Sequence, residues 1–249
     1  MKIAKLFAMA SAAAVLVVAC GSPKVEGSKE VRELLPSKGQ VDTASYLLGV
    51  NFGLVITQNN FGDLNMAQLE KGIKDAMNAK EGQPFDSAFV KQFKIDPSEM
   101  NTILNSYLQK RTAYEGALNK EKGDKFRREF YAKNSADSTA SGIVYLIQDS
   151  GSELHATSDR DTVKVNYRGT LIDGTEFDKN DGIEFPLNRV IPGWTEGMKL
   201  VGEGGKITLV IPAEKAYGER GPRNIGTNAT LIFDVDLLEV KPFVEKENK

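Results

Sequence analysis

Apolar residues recur every three or four positions through residues 42–133, and roughly every second position from about residue 142 onward. The first spacing belongs to helices and the second to strands with one buried face. Four helices follow from the first half. One runs from a cap at Asp42 or Thr43 through about Gln58, with Tyr46, Leu47, Val50 and Leu54 near one face. A second starts at Asn65, where Leu64, Gln68 and Leu69 supply a hydrophobic staple and a capping box. It continues as the stripe Leu69, Ile73, Met77. A third, short helix begins at Asp86, with Phe89 and Phe93 as its apolar side. The fourth has Asp96 as cap, Pro97 in the first helical position and Glu99 completing the box. Its early apolar face (Met100, Ile103, Leu104, Tyr107, Leu108) thins after Leu118 into a charged stretch, the pattern of a helix that bridges domains. If continuous to residue 133 it spans roughly 50 Å at 1.5 Å per residue. Gly116 and Gly123 are the places where it would bend or break.

The second half reads as antiparallel sheet. In VKVNYRGTLIDGTEFD (163–178), Val163, Val165 and Tyr167 lie on one side and Lys164, Asn166 and Arg168 on the other. Asp173-Gly174 between two such runs is a strong hairpin signal. SGIVYLIQDSG (141–151) opens this half, IEFPL (183–187) is a short apolar strand, and ATLIFDVDLLEV (229–240) is a long closing one. The expected class is α+β, with a helical domain at 41–133, a polar hinge at 134–141, a sheet domain at 142–241 and a polar tail at 242–249. The buried side of the sheet gathers Tyr167, Phe177, Ile183, Ile191, Trp194, Tyr217 and Phe233. The groups there that can take part in chemistry are one carboxylate, Asp178, and phenol or indole donors. No Ser-His pair, metal cluster or phosphate-cradling loop accompanies them. His155, the sole histidine, lies in a polar turn and reads as a surface residue, which leaves no general base for ordinary hydrolysis. An apolar pocket of this kind suits an apolar, uncharged ligand.

Composition adds limits. The 249 residues, 41% hydrophobic and 27% charged, describe a soluble globular protein of about two domains, and a net charge of −2 gives no footprint for nucleic acid. Residues 1–19 stand apart, with Lys2 and Lys5 ahead of an apolar run too short to span a bilayer comfortably. That run ends in Val-Val-Ala-Cys-Gly, which resembles a bacterial lipobox and implies cleavage before Cys20 and acylation there. Cleavage leaves 30 basic and 34 acidic side chains, net −4. Residues 20–40, rich in Gly, Ser, Lys and Glu, read as a flexible tether, with a turn of helix near 31–35. The expected location is the bacterial cell envelope, lipid-anchored on the periplasmic side of the outer membrane.

YRGTLIDGTEFD, VIPGW, AYGERG and NATLIFDVDLL together resemble the signature segments of the FKBP-type peptidyl-prolyl cis-trans isomerases, in that family's order and near its spacing. The resemblance implies a half-barrel of antiparallel strands wrapped around a short helix. It also implies isomerisation of X-Pro bonds in exported polypeptides, without cofactor or metal, and macrolide immunosuppressants as possible ligands. By that resemblance Trp194 is the pocket floor, Tyr167, Phe177 and Phe233 are walls, and Val190 and Ile191 line one rim. The Ile191 N–H and the Tyr217 hydroxyl hold substrate carbonyls, Asp178 orients Tyr167, and Ile225 closes the loop side. SYLLGVNFG (45–53), the segments after it and the domain order are similar to the amino-terminal domain of the macrophage infectivity potentiator group. There the helical part makes a homodimer and the long helix holds the isomerase domain away from it. Two departures stand out. Ile183 replaces a usual phenylalanine, with Phe185 two residues on, and Gly226-Thr227 replaces two prolines, which predicts a more mobile rim. The competing functional reading is a membrane-tethered chaperone with incidental isomerase activity.

Overall fold

The computed structural model describes residues 28–245 except residue 85, so the leader-like segment and Cys20 lie outside the described residues. The chain divides into two compact units, with the boundary between Leu108 and Gln109, inside the longest helix.

In the first unit, short α1 (Lys29–Glu33) precedes α2 (Lys38–Gln58). α2 starts earlier than Asp42 or Thr43. Ser37 is its cap, with its hydroxyl accepting from Gln40 N–H while the Gln40 side chain accepts from Ser37 N–H. This capping box sits in a stretch whose composition reads as tether. α3 (Met66–Asn78) and the short α4 (Ser87–Val90) begin at the expected caps, Asn65 and Asp86. Asp96 caps a 3-10 turn, Pro97–Glu99, which leads into α5 (Met100–Lys133). The Tyr107 hydroxyl donates to the Phe61 carbonyl at 2.6 Å, and the two rings stack. No residue of α2, α3 or α4 is buried.

α5 runs unbroken for 34 residues, and Gly116 and Gly123 are its two buried positions rather than its breaks. From Gln109 on it belongs with the second unit. It is not wholly polar there. Phe126 and Phe130 pack against Ala136, Val144 and Val210, covering the outer side of the sheet.

The sheet has six strands in the order β1-β2-β5-β6-β3-β4, all antiparallel. They are β1 (Asp137–Ser138), β2 (Val144–Asp149), β3 (Thr162–Leu171), β4 (Glu176–Pro186), β5 (Lys206–Ile211) and β6 (Leu231–Lys241). β1 lies inside the expected polar hinge and pairs with β2. The inner side packs around α6 (Pro192–Gly197), in a core containing Val163, Val165, Met198, Leu209 and Leu237, each completely buried. α6 lies so close to β5 that a Cβ at Gly193 would sit 2.4 Å from Ile211 Cγ2, and one at Gly197 2.4 Å from Leu209 Cδ1. His155 is half-buried rather than on the surface. It makes an isolated bridge to Gly202, and its Nδ1 lies 3.2 Å from the Lys199 carbonyl.

Candidate active site

The β3–β4 hairpin turns where expected. Leu171 N–H donates to Thr175 O at 2.9 Å, and Gly174 takes a φ of 86°, which favours glycine. The two short runs expected on either side of residue 180 are one strand with irregular register. Val165 faces Ile183 but Tyr167 faces Asn180, and the register shifts again between Gly169 and Thr170. Asn166 Oδ1 accepts from Gly182 N–H at the first irregularity. Cross-strand partners share a face, and each extra residue reverses the alternation beyond it. Even-numbered Asp178 therefore comes to the same face as odd-numbered Ile183 and Phe185.

On that face lies a cavity of about 340 Å³, lined by Tyr167, Phe177, Asp178, Phe185, Arg189, Val190, Ile191, Trp194, Tyr217 and Phe233. Its floor is Trp194, 4% exposed, set on the first turn of α6 by Ile191 as cap and Pro192 at the start. Three rings meet the indole edge-on: Tyr167 and Phe233 at 5.1 Å and Phe185 at 5.2 Å between centroids. Phe177 stands perpendicular to Phe233 at 5.5 Å. Gly169 makes room for both. A Cβ there would lie 2.7 Å from Phe177 Cζ and 2.9 Å from Phe233 Cε1. Such mutual edge-to-face contacts hold rings in place more firmly than area alone.

The polar groups stand at the rim. The Tyr167 hydroxyl donates to Asp178 Oδ2 at 2.6 Å. Burial, then the hydrogen bond and the charge of Asp178, push the Tyr167 pKa well above its usual value, so the phenol stays protonated. Tyr217, 43% exposed, is shifted the same way by burial first and Asp178 second. Eight of the ten residues expected at the site line one cavity. Ile183 and Ile225 do not. Ile183 packs into the core beside Val165, and Phe185 meets the indole instead. Ile225, 8% exposed, belongs to the core under its loop. Arg189 is the lining residue that period-2 reasoning missed, since it falls in a 3-10 turn, Leu187–Arg189, after β4 ends.

Comparison with known proteins agrees with this arrangement. The family model "FKBP-type peptidyl-prolyl cis-trans isomerase" matches residues 155–238, and "Domain amino terminal to FKBP-type peptidyl-prolyl isomerase" matches residues 41–147. The FKBP-type peptidyl-prolyl cis-trans isomerase FkpA of Escherichia coli K12 is 36% identical over 229 residues, covering 85% of this chain and 80% of its own. This chain belongs to the FKBP-type peptidyl-prolyl cis-trans isomerases. A probable FKBP-type isomerase of Haemophilus influenzae is 38% identical over 213 residues, covering 82% and 86%. The crystal structure of FkpA from Escherichia coli superposes with a TM-score of 0.67 at 37% identity, covering 84% of this chain and 99% of that one. As an FKBP, the protein catalyses cis-trans isomerisation of prolyl peptide bonds and acts in protein folding. The half-barrel around α6 and the helical region with its long helix match the solved fold.

Proposed function

We propose that this FKBP speeds prolyl isomerisation by drying and bending the amide against Trp194, with no proton transferred. The X-Pro bond favours trans by only about 0.5–1 kcal/mol, but its rotation barrier is roughly 18–20 kcal/mol of lost amide resonance. Water stabilises the planar amide through its carbonyl. An apolar hollow withdraws that water and raises the planar state relative to the twisted one, whose nitrogen is more pyramidal and more basic. Preference for a bent peptide adds to the effect. Each tenfold of rate needs about 1.4 kcal/mol of such differential stabilisation.

The observation that carries this reading is the indole floor boxed by three edge-on rings. The proline ring rests on Trp194 between Tyr167, Phe177 and Phe233, with Val190 and Ile191 at one rim. Ile191 N–H and the Tyr217 hydroxyl hold substrate carbonyls. Asp178 fixes the Tyr167 hydroxyl and polarises the carbonyl's surroundings. A protease-coupled assay on a proline peptide tests these roles. Asp178→Ala and Tyr217→Phe should each lower kcat/KM about tenfold or more, the scale of a lost directed contact in a dry site. Wild-type turnover in both would refute the roles. Unchanged suppression of aggregation by variants without turnover would favour a chaperone instead.

The same hollow fits the apolar ring of a macrolide, and Trp194 quenching on titration reads that directly. An unchanged signal at saturating ligand would exclude it. The substrates are proline-containing exported polypeptides, reached from the envelope by a lipid on Cys20, a reading supported by the basic and apolar leader and its Val-Val-Ala-Cys-Gly end. Radiolabelled palmitate failing to enter the protein unless Cys20 is present is the expected result. Labelling of Cys20→Ala would contradict it.

The amino-terminal unit is the contact between two copies. Tyr46, Leu47, Leu48 and Phe52 of α2 are each more than half exposed and lie on several sides of the helix. A helix apolar all round needs a partner, and a second copy supplies complementary apolar surface.

A further inference from the structure

The loop joining β5 to β6 carries Tyr217 and forms one side of the pocket. Its returning arm rests on α5. Asn119 Nδ2 donates to the Thr227 carbonyl at 2.8 Å. Gly116 and Gly123 lie three residues before and four after Asn119, on one stripe of the helix. A Cβ at Gly123 would fall 2.1 Å from Thr230 Oγ1, and one at Gly116 2.9 Å from Asn228 Nδ2. Residues 227–230 therefore lie directly on helix backbone. Next to Asn119, Lys120 pairs with Glu214, at the outgoing end of the same loop. Both ends of the loop are thus anchored within one helical turn.

The two arms are also tied to each other beside Tyr217. Asn228 N–H donates to Gly218 O at 2.9 Å and the Thr227 hydroxyl to Glu219 O at 2.8 Å. Gly226 N–H donates to Pro222 O at 2.7 Å, a bond that proline at 226 could not make. Gly226-Thr227 thus brings bonds that hold the rim, where backbone freedom alone predicts looseness. A cavity of about 300 Å³, lined by Asn119, Lys122, Asp173, Ile225 and Thr230 among others, separates helix and loop beside the clamp.

We infer that Asn119 is a positioning residue for the isomerase reaction: through Thr227 it sets the height of the loop and so the place of the Tyr217 hydroxyl over the pocket. The inference rests on the role given to Tyr217 above. The long helix is then a structural part of the active site as well as a connection.

The test uses the full-length protein and a double-mutant cycle. Asn119→Ala keeps the helix, since alanine is the strongest helix former. Its kcat/KM should fall about fivefold, what one ordinary hydrogen bond is worth, with the melting midpoint lowered by no more than about 2–4 °C. Asn119→Asp, which turns a carboxylate oxygen toward the Thr227 carbonyl, should fall further. In a Tyr217→Phe background Asn119→Ala should cost less than about twofold, because the two act as one unit. An undiminished cost in that background would overturn the inference. A full rate in both Asn119 variants beside an impaired Tyr217→Phe would remove this inference alone. A full rate in Tyr217→Phe would remove the pocket roles and this inference together.

Discussion

The two units of this FKBP use the same residue types in opposite ways. The sheet unit has a closed core: Val163, Val165, Leu209, Ile211 and Leu237 are all at 0% exposure. In the helical unit, Leu47 and Leu48 stand 58% and 63% exposed, and nothing on α2, α3 or α4 is buried. Composition does not distinguish these two fates. A sheet closed over α6 supplies its own second layer, whereas α2, α3 and α4 leave their apolar residues at least partly exposed. The lesson is that one unit encloses its apolar surface in a core and a pocket, while the other leaves it open, as the contact between copies proposed above requires.

The sharpest way to break this contrast is Leu209→Ala. Leu209 is fully enclosed and touches the space beside Gly197, so its truncation should cost about 2–5 kcal/mol in urea unfolding followed by Trp194 fluorescence. A cost no greater than that of an exposed leucine would show the sheet core to be loosely packed.

Asp161 sharpens it in a different way. It is 2% exposed, and it accepts backbone N–H bonds from Thr157, Ser158 and Phe243, tying the start of β3 to the chain after β6. Burial opposes its charge, but the three donors outweigh burial and hold its carboxyl below the ordinary range. Because the folded pKa is depressed, its stabilisation is present above the unfolded value of about 3.9 and is lost as pH falls through the folded value. Asp161→Asn should cost about 1–3 kcal/mol near neutrality, and the gap to wild type should close in unfolding curves taken below about pH 4. A gap independent of pH would show that shape, not charge, is what Asp161 contributes.

The smallest effect on catalysis is expected from the helical unit. Leu47→Glu with Phe52→Glu should leave the proposed dimer monomeric in sedimentation, while turnover of a short proline peptide stays within about twofold, since neither residue belongs to the pocket. A monomeric wild-type protein would end the assembly reading.

Much of both units is legible from residue order because the signals are local. Asn65, Asp86 and Asp96 cap helices through bonds that reach two or three residues. Asp173-Gly174 turns a hairpin, and VIPGW starts α6 with its indole turned inward. The capping box of Ser37 and Gln40 was equally local, but a linker-like composition around it hid the start of α2. Other features depend on what packs from far along the chain. Gly116 and Gly123 look like weak points in a helix until Asn228 and Thr230 arrive from over a hundred residues away to occupy the space they leave. Phe126 and Phe130 read as stray aromatics in a charged stretch until Val144 and Val210 lie beneath them.

By itself the sequence determined the helices, the hairpin and the short helix that bears the indole. Each of these follows from hydrogen-bonding and burial preferences that span a few residues. The tertiary structure decided that Asp178 shares a face with Phe185, that Phe185 rather than Ile183 meets Trp194, and that α5 carries the rim loop. Those outcomes turn on strand bulges and on contacts between distant segments. Register and close approach are properties of paired surfaces, so neither partner's residues contain them alone.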